Sequence, residues 1–88
     1  MSYNVKFSKT AHKDFSKLDK QTQRLIVAWL DKNLNNCIDP RAHGKALTAN
    51  FSGKWRYRIG DYRLIAEILD DELIILALQI RHRSIVYR

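Results

Sequence analysis

Gly53-Lys54-Trp55-Arg56-Tyr57-Arg58-Ile59-Gly60-Asp61-Tyr62-Arg63-Leu64 alternates cations with apolar residues on either side of a Gly-Asp pair. Side chains of a strand point alternately to opposite faces, so Trp55, Tyr57 and Ile59 share one face while Lys54, Arg56 and Arg58 share the other. A two-residue Gly60-Asp61 loop then sets Ile59 opposite Tyr62 and Arg58 opposite Arg63. The same register carries Lys54 to Glu67, where a cross-strand ion pair is expected. Like charges directly opposed on a sheet destabilise it by roughly 0.2 to 1 kcal/mol per pair. The Arg58 and Arg63 apposition therefore marks a face prepared for an anion.

Working outward, Tyr3, Val5 and Phe7 alternate with polar neighbours and read as a short first strand. Ser8 is placed to cap a helix over residues 8–18, with Ala11, Phe15 and Leu18 on its apolar stripe and Lys9, Lys13 and Lys17 outward. After a break at Asp19-Lys20, residues 20–35 carry Leu25, Ile26, Trp29, Leu30 and Leu34 at helical spacing without glycine or proline. Residues 36–50, with Asn35-Asn36-Cys37-Ile38-Asp39-Pro40 at their start, have the chemistry of a connecting loop. Strands are expected over 54–59 and 62–69, then a turn at Asp70-Asp71. Residues 73–80 are almost wholly apolar, as in a central strand covered on both faces, although periodicity alone does not distinguish this from a buried helix. The resulting order, β-α-α-β-β-β, predicts an α+β fold in which a helical hairpin packs on one face of a mostly antiparallel four-stranded sheet. The helices would cover Trp55, Tyr57, Leu64 and Ala66 and leave the arginine face open.

The 88 residues suit one domain, 1–88, and carry 16 Lys and Arg against 9 Asp and Glu, a formal charge of +7. That balance favours polyanionic partners such as nucleic acid or a ribosome. One cysteine, Cys37, excludes an internal disulfide and lacks companions for a zinc site. The N-terminal residues lack the apolar run of a signal peptide, and no stretch approaches the roughly 18 apolar residues of a membrane helix, so the cytoplasm is the expected compartment.

The tail Arg81-His82-Arg83-Ser84-Ile85-Val86-Tyr87-Arg88 begins where the apolar run ends. If its strand lies beside the hairpin, Arg81 or Arg83 joins Arg56, Arg58 and Arg63. Guanidinium groups pair with phosphates and an aromatic ring stacks on an unpaired base, which suits RNA, with Tyr87 as the stacking candidate. His12, His43 and His82 are scattered, and neither a metal-ligand spacing nor a glycine-rich phosphate loop is present. No metal or other cofactor is expected. His82 alone sits among cations, as a candidate RNA contact.

With these elements in place the chain resembles the RelE branch of the RelE/ParE toxin superfamily. The resemblance runs nearly end to end. It is carried by residues 54–64, by His82-Arg83-Ser84-Ile85-Val86-Tyr87, by Gly44-Lys45-Ala46-Leu47 and by the helical hairpin. It implies a ribosome-dependent endoribonuclease that cuts mRNA in the ribosomal A site without a metal and is held inactive by a cognate RelB-like antitoxin. It further implies Lys54, Arg56, Arg63, Arg81 and Tyr87 as catalytic residues, supported at the RNA by Arg58, His82 and Arg83. Attack of a ribose 2′-hydroxyl on its phosphate requires a base, stabilisation of the pentacoordinate charge and an acid for the leaving oxygen. Permanently charged Arg56, Arg63 and Arg81 suit the second task. Lys54 and Tyr87 are candidate bases, since clustered arginines favour the deprotonated form of either, and His82 is a substitute. Many relatives have a glycine before the His-Arg pair, where this chain has Ile80 and Arg81. This leaves open which of Arg81 and Arg83 faces the phosphate; on one extended strand both would share a face.

Two other readings share this sequence pattern. A ParE-like toxin would bind and inhibit DNA gyrase with the same fold, and a nucleic-acid-binding module would hold RNA without cutting it. The joint presence of Lys54, Arg56, Arg63, Arg81 or Arg83, and Tyr87 favours the nuclease.

Overall fold

The structure, a computed structural model, describes residues 1–85. In chain order its elements are Asn4–Phe7 (β1), Lys9–Ser16 (α1), Lys20–Asn33 (α2), Gly44–Ala46 (β2), Trp55–Ile59 (β3), Tyr62–Leu69 (β4) and Ile74–His82 (β5). The strands form one sheet in the order β1-β5-β4-β3-β2, antiparallel except for the parallel β1 and β5 pair. Two helices on a mostly antiparallel sheet give the expected α+β class. The sheet has five strands rather than four, because residues 44–46 of the expected loop pair with β3. Three residues are too few to show a period of two, and β2 owes its form to pairing with a partner distant in sequence. Among the described residues no helix is long and apolar enough to cross a membrane.

Both helices begin at side-chain caps. The Ser8 hydroxyl accepts the Ala11 amide at 3.1 Å, and Asp19 accepts the Thr22 amide at 3.0 Å, each satisfying a donor that the first helical turn leaves unpaired. Ala11 from α1 and Ile26 and Leu30 from α2, with Leu34 just beyond, meet Tyr57, Ile59, Leu64, Ala66, Ile75, Ala77 and Ile80 in the core. Leu25, expected on the apolar stripe, is instead 52% exposed. The apolar run of β5 is central, between β1 and β4, but it is not closed on both faces. Ile75, Ala77 and Ile80 are buried against the helices, whereas Ile74 and Leu76 are only half-buried.

A β-bulge governs which residues of β5 face which way. Ala66 pairs with Ala77, but Ile65 pairs with Gln79, so Leu78 is an extra residue with no partner on β4. A bulge of this kind re-aims every side chain beyond it. Up to the bulge the odd positions Ile75 and Ala77 face the helices; after it the even position Ile80 does. Helix α1 satisfies the interrupted edge. The Ser8 hydroxyl donates to the Leu78 carbonyl at 3.2 Å, and the Ile80 amide donates to Asp14 Oδ2 at 3.0 Å.

At the other end of the sheet, Asp70 ties three segments together. Its carboxylate accepts the Tyr3 hydroxyl at 2.6 Å and both terminal nitrogens of Arg41 at 3.1 and 2.8 Å. Arg41 also lies 5.8 Å from the centre of the Trp55 ring, within cation–π range. Nearby, the buried Tyr57 hydroxyl donates to the Pro40 carbonyl at 2.6 Å, which anchors the loop before β2.

Candidate nucleic-acid interface

The face of the sheet away from the helices carries the cations. The two-residue loop sets Arg58 opposite Arg63, and the bulge then sets Arg63 opposite Arg81. Three arginines thus stand in register across β3, β4 and β5. The next rung pairs Lys45 with Arg56, Arg56 with Ile65 and Ile65 with Gln79. Ile65 is buried even though it lies on this open face, as expected where long cationic stems cover an apolar residue. Lys45 was not among the candidates read from the sequence, because its loop gave no sign of pairing.

The cations differ in how they are held. Arg56 and Arg58 have no ion-pair partner among the described residues. Arg63 donates from Nη1 to the Tyr62 carbonyl at 3.0 Å and to the Gly60 carbonyl at 3.3 Å, which holds its head near the hairpin tip. Lys54 lies 3.7 Å from Glu67, the pair expected from the register. Arg81 donates from Nη1 to Asp14 Oδ1 at 2.9 Å. An arginine has five N–H donors, so this contact leaves others for an anion.

Arg81 and Arg83 do not share a face. β5 ends at His82, and Arg83 begins a turn in which its amide donates to the Asp61 carbonyl at 2.7 Å and its Nε lies 3.6 Å from the Asp61 carboxylate. Arg81 belongs to the arginine row and Arg83 to the hairpin tip. His82 pairs with Tyr62 on the other face, their rings edge-to-face at 5.3 Å, and its Nδ1 meets the Ser84 hydroxyl at 2.9 Å. Tyr87 lies outside the described residues.

A carboxylate from outside the sheet also reaches the row, and no feature of the sequence marks it. Asp14 sits on α1, 67 positions before Arg81, and no spacing rule links residues so far apart. Lys45, Arg56, Arg58, Arg63 and Arg81 share one face of the sheet, which therefore carries four guanidinium groups and one ammonium group. Such groups bind phosphate oxygens in pairs and stabilise charge that grows on them.

Over residues 5–87 the chain matches the family described as ParE toxin of type II toxin-antitoxin system, parDE. It is 32% identical over 88 residues to Toxin RelG of Mycobacterium tuberculosis, covering 100% of this chain and 99% of that protein. A putative RelE-like toxin protein of Escherichia coli is 34% identical over 89 residues, covering 99% of this chain and 92% of that one. Among solved structures, a chain of the toxin-antitoxin complex RelBE2 from Mycobacterium tuberculosis superposes with a TM-score of 0.84 at 29% identity, covering 97% of this chain and 95% of that chain.

Proposed function

Because the chain belongs to the RelE/ParE superfamily of type II toxin-antitoxin toxins, we propose that it is a ribosome-dependent endoribonuclease that cuts mRNA in the ribosomal A site. The observation that carries this reading is the registered row of Arg58, Arg63 and Arg81 on an open sheet face. A row of like charges that Asp14 offsets in part at Arg81 suits a further anion, and a phosphodiester passing through a pentacoordinate transition state supplies one whose charge grows during the reaction.

In the proposed step the ribose 2′-oxygen attacks the adjacent phosphorus and the bond to the 5′-oxygen breaks, leaving a 2′,3′-cyclic phosphate and a 5′-hydroxyl. Arg56, Arg63 and Arg81 stabilise the phosphoryl oxygens, with Arg58 and Arg83 as supporting RNA contacts. Lys54 or Tyr87 takes the 2′ proton, and the other of the two supplies the one the 5′-oxygen requires; His82, on the other face of the sheet against Tyr62, is not placed for either role. The ribosome positions the mRNA, which suits a site built from charge rather than from base-reading pockets. The relative in the RelBE2 complex is a toxin crystallised with its antitoxin, which supports a cognate RelB-like antitoxin as the partner that keeps this chain inactive. An acidic antitoxin segment would complement the cationic face.

The description of the matched family favours a second reading, a ParE-like inhibitor of DNA gyrase. Purified protein added to programmed ribosomes, with the RNA ends mapped, and separately to a gyrase supercoiling assay, tells the two apart. The nuclease reading predicts cuts within the A-site codon that vanish when the attacking ribose is 2′-deoxy. Intact mRNA together with arrested supercoiling would establish the gyrase reading instead.

A further inference from the structure

We propose that Asp14 is a positioning residue for this cleavage: from α1 it fixes the Arg81 guanidinium within the arginine row and so sets where the phosphate is held. The inference rests on the nuclease reading above and adds to it the device that orders one of its cations. Both oxygens of the carboxylate are engaged, Oδ2 by the Ile80 amide at 3.0 Å and Oδ1 by Arg81 Nη1 at 2.9 Å. Its side chain is 13% exposed and that of Arg81 35%, so the pair is partly shielded from water while the guanidinium remains accessible.

Two physical needs meet at this contact. An arginine side chain has many rotamers, and Arg81 stands opposite another arginine whose charge drives it away from the row. A carboxylate on the far side from Arg63 attracts the guanidinium in the direction that this repulsion already pushes it, so the two together select one rotamer, and a second hydrogen bond to the Ile80 backbone fixes the carboxylate itself. The bulge at Leu78 makes the arrangement possible. It ends the β1 ladder at Ala77, leaves the Ile80 amide facing α1, and turns Arg81 onto the open face. Asp14 therefore links the helical layer to the cationic face, although its own helix packs chiefly on β5 and β1.

Asp14→Asn separates the orienting role from a merely structural one, because the amide oxygen still accepts the Ile80 N–H while the charge on Arg81's partner is lost. In single-turnover cleavage on programmed ribosomes, Asp14→Asn is expected to lower the maximal rate about 10- to 100-fold, with half-saturation by ribosomes changed less than about twofold. Asp14→Glu, which restores the charge, should recover part of the loss. In an Arg81→Ala background the Asn substitution should change the rate less than about twofold, since there is no guanidinium left to orient. An equal loss in both backgrounds would overturn the proposal. A second readout uses the free protein and needs no cleavage: the Arg81 Nε–Hε signal in the NMR spectrum should be sharp in wild type and broadened in Asp14→Asn, with the backbone amide spectrum preserved. An unchanged Arg81 signal refutes the positioning role whether or not the protein cuts RNA. Wild-type protein that leaves ribosome-bound mRNA intact sinks the nuclease reading and the catalytic half of this inference with it, and the NMR comparison still decides whether Asp14 orders Arg81.

Discussion

Ala77 and Ile80 lie three positions apart on β5, yet both are buried against the helices. On an uninterrupted strand, positions separated by an odd number face opposite ways. The unpaired Leu78 absorbs the difference, and the same shift turns Arg81 to the open face opposite Arg63. One inserted residue thus keeps the core apolar and completes the arginine row.

Deleting Leu78 should remove the bulge and leave the facing of β5 unchanged. Because Leu78 is the residue with no partner on β4, the continuous register keeps Gln79 and Arg81 on the open face and Ile80 against the helices. The loss is confined to the Leu78 side chain and to the Ser8 hydroxyl bond to its carbonyl, about 1 to 3 kcal/mol. Thermal unfolding followed by circular dichroism should show a lowered midpoint with the transition still cooperative. Loss of the cooperative transition would contradict the assignment of the bulge.

Gly44→Ala should weaken the edge strand. A Cβ at Gly44 would stand 2.9 Å from Tyr57 Cε1, and the ring has little freedom to withdraw because Tyr57 is fully buried and its hydroxyl is bound to the Pro40 carbonyl. Burial also pushes that hydroxyl far above the usual tyrosine range, so it remains a donor at any ordinary pH. The expected loss is about 1 to 3 kcal/mol in urea unfolding, typical of an overpacked site. An unchanged denaturation midpoint would show that β2 moves aside freely.

Acid should loosen the clamp at Asp70. The hydrogen-bonded Arg41 guanidinium, and then the Tyr3 hydroxyl, hold the Asp70 carboxyl below the usual carboxylate range. The folded protein binds that proton more weakly than the unfolded chain does. The contribution is therefore complete above the unfolded value, about pH 4, and is lost as the pH falls through the lower folded value. Asp19, lowered by the Thr22 contacts at its helix cap, has the same sign. In melting temperatures measured from pH 7 to pH 2, Asp70→Asn should lie closer to wild type at pH 2 than at pH 7. A difference that stays constant with pH would show that Asp70 does not contribute through its charge.

The hairpin was legible in the sequence because its signal is local. Alternation from Trp55 to Ile59 and a two-residue Gly60-Asp61 loop set the register, which placed Arg58 against Arg63 and Lys54 near Glu67. What stayed hidden depends on contacts between distant segments. β2 forms only against β3, and Asp14 meets Arg81 only because α1 closes the edge where β1 ends. The bulge is silent for another reason. Within the run Ile74-Ile75-Leu76-Ala77-Leu78, every residue is apolar, so no pattern marks where the facing changes. The expectation that Arg81 and Arg83 share a face failed because β5 stops at His82 and the Asp61 carbonyl draws the Arg83 amide into a turn.

The central claim is that the arginine row stabilises a phosphoryl transition state on ribosome-bound mRNA. Its most direct test is the single-turnover cleavage rate of A-site mRNA by wild type and by Arg81→Ala on the same programmed ribosomes. Removing one group that stabilises transition-state charge should slow the step about 100-fold or more, roughly 2.7 kcal/mol, with ribosome binding little changed. Equal rates for the two proteins, or no cleavage by wild type, would contradict the account.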